Sequence, residues 1–238
     1  MDLLYDIAIG LTTGLLGYGT SEGKRRLLER RALRHLRAFW LGGAGRFKFV
    51  YPIYHGEYGA KFPKNMARIE DIAACQIILE EIQAIGATVI LASDDEPDDN
   101  EADLILICSP RGNRKSLHVA THYQLPFLYK VFTDKPSEIE REGIRYQSGP
   151  IQPGPKTDFA LLVRLTDTAR RRKIFCLWGL RGAGTLGAAQ FLNTPRNLAR
   201  IHKEVGNQDF AVVIRVIYED PRQPKSTSVE SPFITFHT

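Results

Sequence analysis

Along this chain, short runs of β-branched and aromatic residues alternate with longer stretches whose apolar positions recur at helical spacing. Arg46–Tyr54 (RFKFVYPIY) reads as a buried strand by its Val, Ile, Phe and Tyr content. Ile69–Ile85 is the clearest helix, with apolar residues at 69, 72, 73, 77, 78, 82 and 85 and Gly86 as its stop signal. Strand Thr88–Ser93, an acidic loop, strand Asp103–Ser109, helix Asn113–Tyr123 and strand Phe127–Phe132 are expected next. Residues 134–156 turn to Pro, Gly and charge and read as a connector, with a short strand over Ile144–Gln147. Beyond it the pattern predicts strand Asp158–Leu165, the basic turn TARRRK and strand Ile174–Trp178. A glycine loop, helices Thr185–Leu192 and Pro195–Val205, strand Phe210–Tyr218 and a final edge strand or tail complete the chain.

Strands alternating with helices over short connections imply an α/β fold of Rossmann-like type. The expectation is a mainly parallel sheet with helices on both faces, in two halves, preceded by an N-terminal helical segment. The divisions are residues 1–41 for the head, 46–133 for the first half, 134–156 for the connector and 157–238 for the second half.

The head has its own pattern. Leu3–Gly19 is largely apolar with Asp6 as its single charge, and it runs into GKRRLLERRALRHLRAFW. There Leu27, Leu28, Leu33, Leu36 and Trp40 fall near helical spacing while seven Lys and Arg crowd the remaining surface. Charge sharpens this picture. Residues 1–48 carry nine Lys and Arg against four Asp and Glu, and the rest balances at 23 against 23, so the net +5 belongs to the head. A basic head on a neutral body argues against a general nucleic-acid binder and offers little for base stacking beyond Phe39 and Trp40. Two readings of the head stay open: an apolar helix on the core with solvated arginines, or residues 3–40 on an anionic membrane surface. The apolar stretch is shorter than the roughly 20 residues a bilayer crossing needs.

The 43% apolar content allows a substantial core. Cys75, Cys108 and Cys176 sit singly in apolar runs, which argues against a disulfide framework or zinc ribbon and fits a reducing cytosol. The chain start lacks a basic segment ahead of its apolar run and a small-residue cleavage site, so no secretory signal is expected. The protein is expected in the cytoplasm, with the inner membrane face as the place the head would meet lipid.

Two loops carry candidate chemistry. In KIFCLWGLRGAGTLGAAQFL a buried strand runs into Arg181, Gly182, Gly184 and Thr185 and then a small-residue helix. Glycines let backbone approach an anion, a helix N-terminus presents free amides, and Arg181 adds charge, so phosphate binding is expected there. The loop lacks the Gly-Lys-Ser/Thr ending of a P-loop, and a tight strand-to-helix turn is the competing reading. In DLILICSPRGN a strand ends in Ser109, Arg111, Gly112 and Asn113 before a helix with Arg114 and Lys115, where open α/β sheets hold ligands. A third loop offers His55 and Glu57 as candidate general acid or base beside a ligand gathered by the other two. His118 and His122 stand four apart on one helix, but without an intervening Glu no metal site is expected. The DDEPDDNEAD run reads as an exposed, mutually repelling loop.

The strand ending FVYP, the SPRGN loop, the DFALLVRL strand and the GLRGAGTLGAAQFL turn together resemble an uncharacterised bacterial Rossmann-like family, over roughly residues 46–218. More distantly, the architecture resembles SLOG and TIR-like nucleotide-sensing domains and nucleoside deoxyribosyltransferases. The resemblance implies a nucleotide-like partner or cofactor, such as NAD or a derivative, in bacterial signalling or defence. The helical catalytic Glu of several of those domains has no match here. The expectation is therefore a nucleotide- or phosphate-binding, sensor-like protein. A nucleotide-cleaving enzyme and a non-catalytic interaction protein are the alternatives, and homo-oligomer formation is left open.

Overall fold

A computed structural model describes residues 33–40, 45–51, 54–56, 64–66, 68–97, 102–132, 134–150 and 153–237. Its elements begin with helix α1 (33–40), strands β1 (Arg46–Tyr51), β2 (Tyr54–Gly56) and β3 (Lys64–Met66), helix α2 (Ile69–Ala84) and strands β4 (Thr88–Ser93) and β5 (Asp103–Ile107). Helix α3 (Arg114–His122) and strands β6 (Leu128–Lys130), β7 (Glu138–Arg141) and β8 (Ile144–Gln147) follow. Then come β9 (Lys156–Asp167), β10 (Arg172–Gly179), α4 (Gly182–Leu192), α5 (Pro195–Val205), β11 (Phe210–Tyr218), β12 (Pro224–Val229) and β13 (Ile234–Thr235). The apolar segment 3–19 and most of the basic stretch lie outside the described residues, as does Glu57.

The principal sheet has eight strands in the order β12-β11-β9-β10-β5-β1-β4, with β13 also on β11. Only β10, β5, β1 and β4 are parallel neighbours. The pairs β10–β9, β9–β11, β11–β12 and β11–β13 are antiparallel, so the sheet is mixed. This corrects the expectation of a mainly parallel sheet in two halves, and connection length is the physical reason. Residues 168–171 are too few for the crossover of a dozen or more that parallel strands require, so β9 must turn back on β10. The same holds for β11 and β12. The two halves share this one sheet: β5, before the connector, pairs with β10, after it, with Leu106 opposite Cys176. The segment expected to return to the main sheet at Phe127–Phe132 instead supplies β6 to a small antiparallel sheet with β7 and β8. Glu142 and Gly143, both at positive φ (51° and 84°), make the two-residue turn that this hairpin needs.

The two faces of the principal sheet are covered differently. Phe39, Trp40, Ile78, Phe191, Leu198 and Val205 from α1, α2, α4 and α5 pack on Phe47, Phe175 and Phe210. On the other face Val119 of α3, Phe127 and Ile139 of the small sheet meet Val50, Leu106, Trp178 and Val213. Helix α2 departs from its sequence pattern. Ile69 and Ile72 are 59% and 54% exposed, whereas Asp71 and Glu81 are buried with Ala74, Ile78 and Ile82. No helix among the described residues is long and apolar enough to cross a membrane.

Candidate functional site

Because β5 and β10 are parallel neighbours, the loops that follow them leave the same sheet edge side by side. Ser109, Arg111, Gly112 and Asn113 are thus brought beside Arg181, Gly182, Gly184 and Thr185. What the two loops do with their backbone amides decides their chemistry.

In the glycine turn the place of an anion is already taken, by a carboxyl group of the protein. Asp158, on β9, accepts from the amides of Gly184 at 2.6 Å and Arg181 at 3.2 Å through Oδ2. Its Oδ1 accepts from the Ser148 hydroxyl at 2.5 Å and the Phe159 amide at 2.9 Å. Burial raises the Asp158 pKa, opposed by those hydrogen bonds and by the Arg181 charge. The carboxylate caps α4, whose own N-cap, Arg181, makes no side-chain capping bond. Gly184 is required by this arrangement: a Cβ there would lie 2.6 Å from the Phe159 carbonyl oxygen and 2.8 Å from Asp158 Oδ2. Gly182 abuts Glu70 of α2, and Thr185 Oγ1 accepts from the Gly179 amide at 3.3 Å.

The loop after β5 is closed in the same manner. The amides of Gly112 and Asn113 donate to the Ser109 carbonyl at 2.9 and 3.1 Å. Asn113 caps α3 by accepting from the Ser116 amide, while its Nδ2 donates to the Val50 and Ile107 carbonyls where β1 and β5 end. The Arg114 amide donates to Asp94 Oδ2 at 2.8 Å, so part of the acidic run caps a helix rather than standing in solvent. Arg111 is exposed, and Ser109 is buried with its hydroxyl on Tyr129. The N-termini of α3 and α4 therefore each have a carboxylate from elsewhere in the chain on their amides.

Positive charge gathers instead on the α3 flank. A cavity of about 290 Å³ has Arg114, Lys115 and His118 of α3 on one side and Arg170 and Arg172 of the β9–β10 hairpin on the other. Leu104, Val119 and Ile174 line it with apolar surface, Tyr123 adds a ring, and Glu96 is the carboxylate in its wall. Asp167 stands behind the two hairpin arginines, accepting from Arg170 at 3.2 Å and from Arg172 at 3.4 Å. Burial works to raise the Asp167 pKa, but bonds from Arg170 and Tyr123 and the charge of Arg172 prevail and hold it below the usual carboxylate range. An ionised Asp167 holds both guanidinium groups, Arg172 buried in the cavity wall and Arg170 open at its edge, where a planar donor fork suits a phosphate.

In the sequence TARRRK reads only as a basic turn, with no role for Arg170 and Arg172. The missing signal was the β10–β5 pairing, which sets Ile174 beside Leu104 and so carries the hairpin to α3. Of the third loop, His55 falls in β2, and Glu57 lies outside the described residues. His118 and His122 stack at 3.9 Å between ring centroids, and His122 Nδ1 lies 2.9 Å from the His118 carbonyl oxygen. Among the described residues no cluster of three or more His, Cys, Asp or Glu is placed to hold a metal ion. No protein-family model matches the chain, and neither does any curated protein sequence.

Proposed function

We propose that this protein binds a phosphorylated small molecule of nucleotide type in the cavity between α3 and the β9–β10 hairpin. The observation that carries the reading is convergence: Arg114, Lys115, Arg170 and Arg172, remote in sequence, line one cavity with a single carboxylate, Glu96, in its wall. The apolar lining would take a base or sugar face and the cationic rim the phosphate, which is the division of labour ligand sites show in general. A volume of about 290 Å³ suits a mononucleotide-sized ligand better than a full dinucleotide, part of which would extend over the rim. The three free cysteines accord with the cytoplasm, where such ligands are abundant.

Thermal unfolding with AMP, ADP, NAD and inorganic pyrophosphate, and with adenosine as the uncharged control, tests this. A bound ligand at a hundredfold excess over its Kd stabilises by about 2.7 kcal/mol. The expected result is stabilisation by phosphorylated ligands alone, reduced at least about tenfold in affinity in the Arg114→Ala/Arg170→Ala double variant. Equal responses to adenosine and AMP, or responses unchanged in the double variant, would overturn the reading. Chromatography of the recovered ligand then separates a sensor, which returns it intact, from a nucleotide-cleaving enzyme.

A further inference from the structure

We infer that α1 and α5 together form a docking face for an anionic lipid surface. Both helices lie on the same side of the principal sheet. Phe39 and Trp40 of α1 and Leu198, Ile201 and Val205 of α5 belong to one core cluster, with Leu33 and Leu36 packed against it. The two approach each other at His35 and His202, whose ring centroids are 6.3 Å apart. The side chains that this packing turns outward are basic. Arg34 and Arg37 on α1 and Arg196, Arg200 and Lys203 on α5 are all exposed, and Glu204 is the single carboxylate on the two helices. Positions 196, 200 and 203 follow helical spacing, which sets them in one stripe opposite the buried Leu198, Ile201 and Val205.

The fold thus joins a basic stripe from the end of the chain to the basic head at its start. The stretch that leads into α1 carries Lys24, Arg25, Arg26, Arg30 and Arg31 and is itself preceded by the apolar Leu3–Gly19. Clustered cations draw a protein to anionic headgroups, by about fivefold in partitioning for each Lys or Arg near the surface. An apolar stretch in the same segment supplies the second signal that stable attachment to lipid requires. Such docking needs no crossing helix, and among the described residues none is long and apolar enough to be one.

A lipid surface fits this face better than a nucleic acid does. Single strands are held by bases stacked on exposed aromatic rings, and the two large rings of α1, Phe39 and Trp40, are 4% and 0% exposed. Helix α5 carries no Phe, Tyr or Trp. The His35 pKa is lowered, first by burial and then by His202 and Arg34, so at neutral pH the charge of the face comes from its arginines and Lys203. The cavity between α3 and the β9–β10 hairpin lies on the other side of the sheet, against Leu104, Val119 and Ile174. Docking through α1 and α5 therefore leaves that cavity open, and the two proposals stand independently.

Sedimentation of the full chain with vesicles of phosphatidylcholine containing about 30 mol% phosphatidylserine, and with vesicles of phosphatidylcholine alone, tests the inference. Partitioning onto the phosphatidylserine vesicles should be at least about tenfold stronger at about 0.1 M salt, and the preference should fade at about 0.5 M. Arg196→Gln/Arg200→Gln/Lys203→Gln, which alters exposed side chains of α5 and leaves the head intact, should lower that partitioning at least about tenfold. Arg34→Gln/Arg37→Gln should lower it in the same direction, and decides the matter should the triple variant fail to fold. Absence of vesicle binding, equal binding to both vesicle types, or variants that partition as the parent does would each overturn the inference. Should single-stranded oligouridylate bind and the vesicles not, the partner is a nucleic acid and the inference falls.

Discussion

At the scale of single residues, the recurring device is a buried polar side chain that completes backbone far away in sequence. Asp158 satisfies amides of the α4 turn, Asn113 ties the ends of β1 and β5, and Arg164 reaches the carbonyls of Gly206 and Gln208 at 2.7 and 2.6 Å. Arg164 lies beside the rings of Phe39 and Phe210, 5.5 and 5.1 Å from their centroids, and burial lowers its pKa to about 10. These groups are structural, and removing one strands its partners in a dry interior. Asp158→Ala leaves the Arg181 and Gly184 amides without their carboxylate, and urea unfolding should show a loss of about 3 kcal/mol. Asp158→Asn, which keeps one acceptor oxygen, should fall between. A loss as small as that of an exposed Asp→Ala would mean that the turn holds itself and that its amides are available to a ligand.

At the scale of an element, α2 shows a helix chosen by its position rather than by its apolar count. Its buried stripe includes Glu81, which accepts from Trp40 Nε1 at 3.1 Å and has an ordinary pKa of 4.5 raised by burial to about 7. Asp71 moves in the same direction, from 3.8 to about 6. Both groups hold their protons more tightly in the folded than in the unfolded chain. The stability they confer is therefore present below roughly pH 4 and declines as pH rises toward 7, where the buried groups must ionise. Glu81→Gln keeps an acceptor for Trp40 and cannot ionise. Denaturation midpoints across this range should accordingly fall less steeply in the variant, and it should be more stable than the parent at pH 7.5 by about 1–3 kcal/mol. A parallel pH dependence in both proteins would show that Glu81 does not titrate in this window.

At the scale of the whole molecule, the principal sheet is a single construction shared by segments on both sides of the connector. Strand β10 lies between β9 and β5, and its parallel partner β5 comes from about 70 residues earlier in the chain, a separation that the Lys173 amide to Asp103 Oδ1 bond at 2.7 Å also spans. A fragment starting at residue 157 would expose that edge of β10 and the apolar faces of Phe175 and Leu177. It should give poorly dispersed amide resonances and no cooperative thermal transition, whereas the whole chain should unfold in one transition. A fragment with native-like dispersion would mean that the antiparallel part is an independent unit.

Much of this architecture was readable from local pattern. Apolar β-branched runs located most strands of the principal sheet, because a strand buried on both faces has little freedom of composition, and the caps and glycines bounded α2, α3 and α5 within a few residues. Strand direction at β9 and β10 was also present in the length of the 168–171 turn, a constraint of chain reach rather than of composition. What tertiary structure alone decided was partnership. Whether the amides of Gly184 and Arg114 face a ligand or Asp158 and Asp94 depends on which carboxylates the fold carries to that edge. The gathering of Arg114 with Arg170 and Arg172, and the burial of Asp71 in place of Ile72, depend likewise on how strands order in the sheet. Periodicity records the demands of a residue's neighbours along the chain. Electrostatic and hydrogen-bond complementarity act through space, between groups whose sequence separation leaves no local trace.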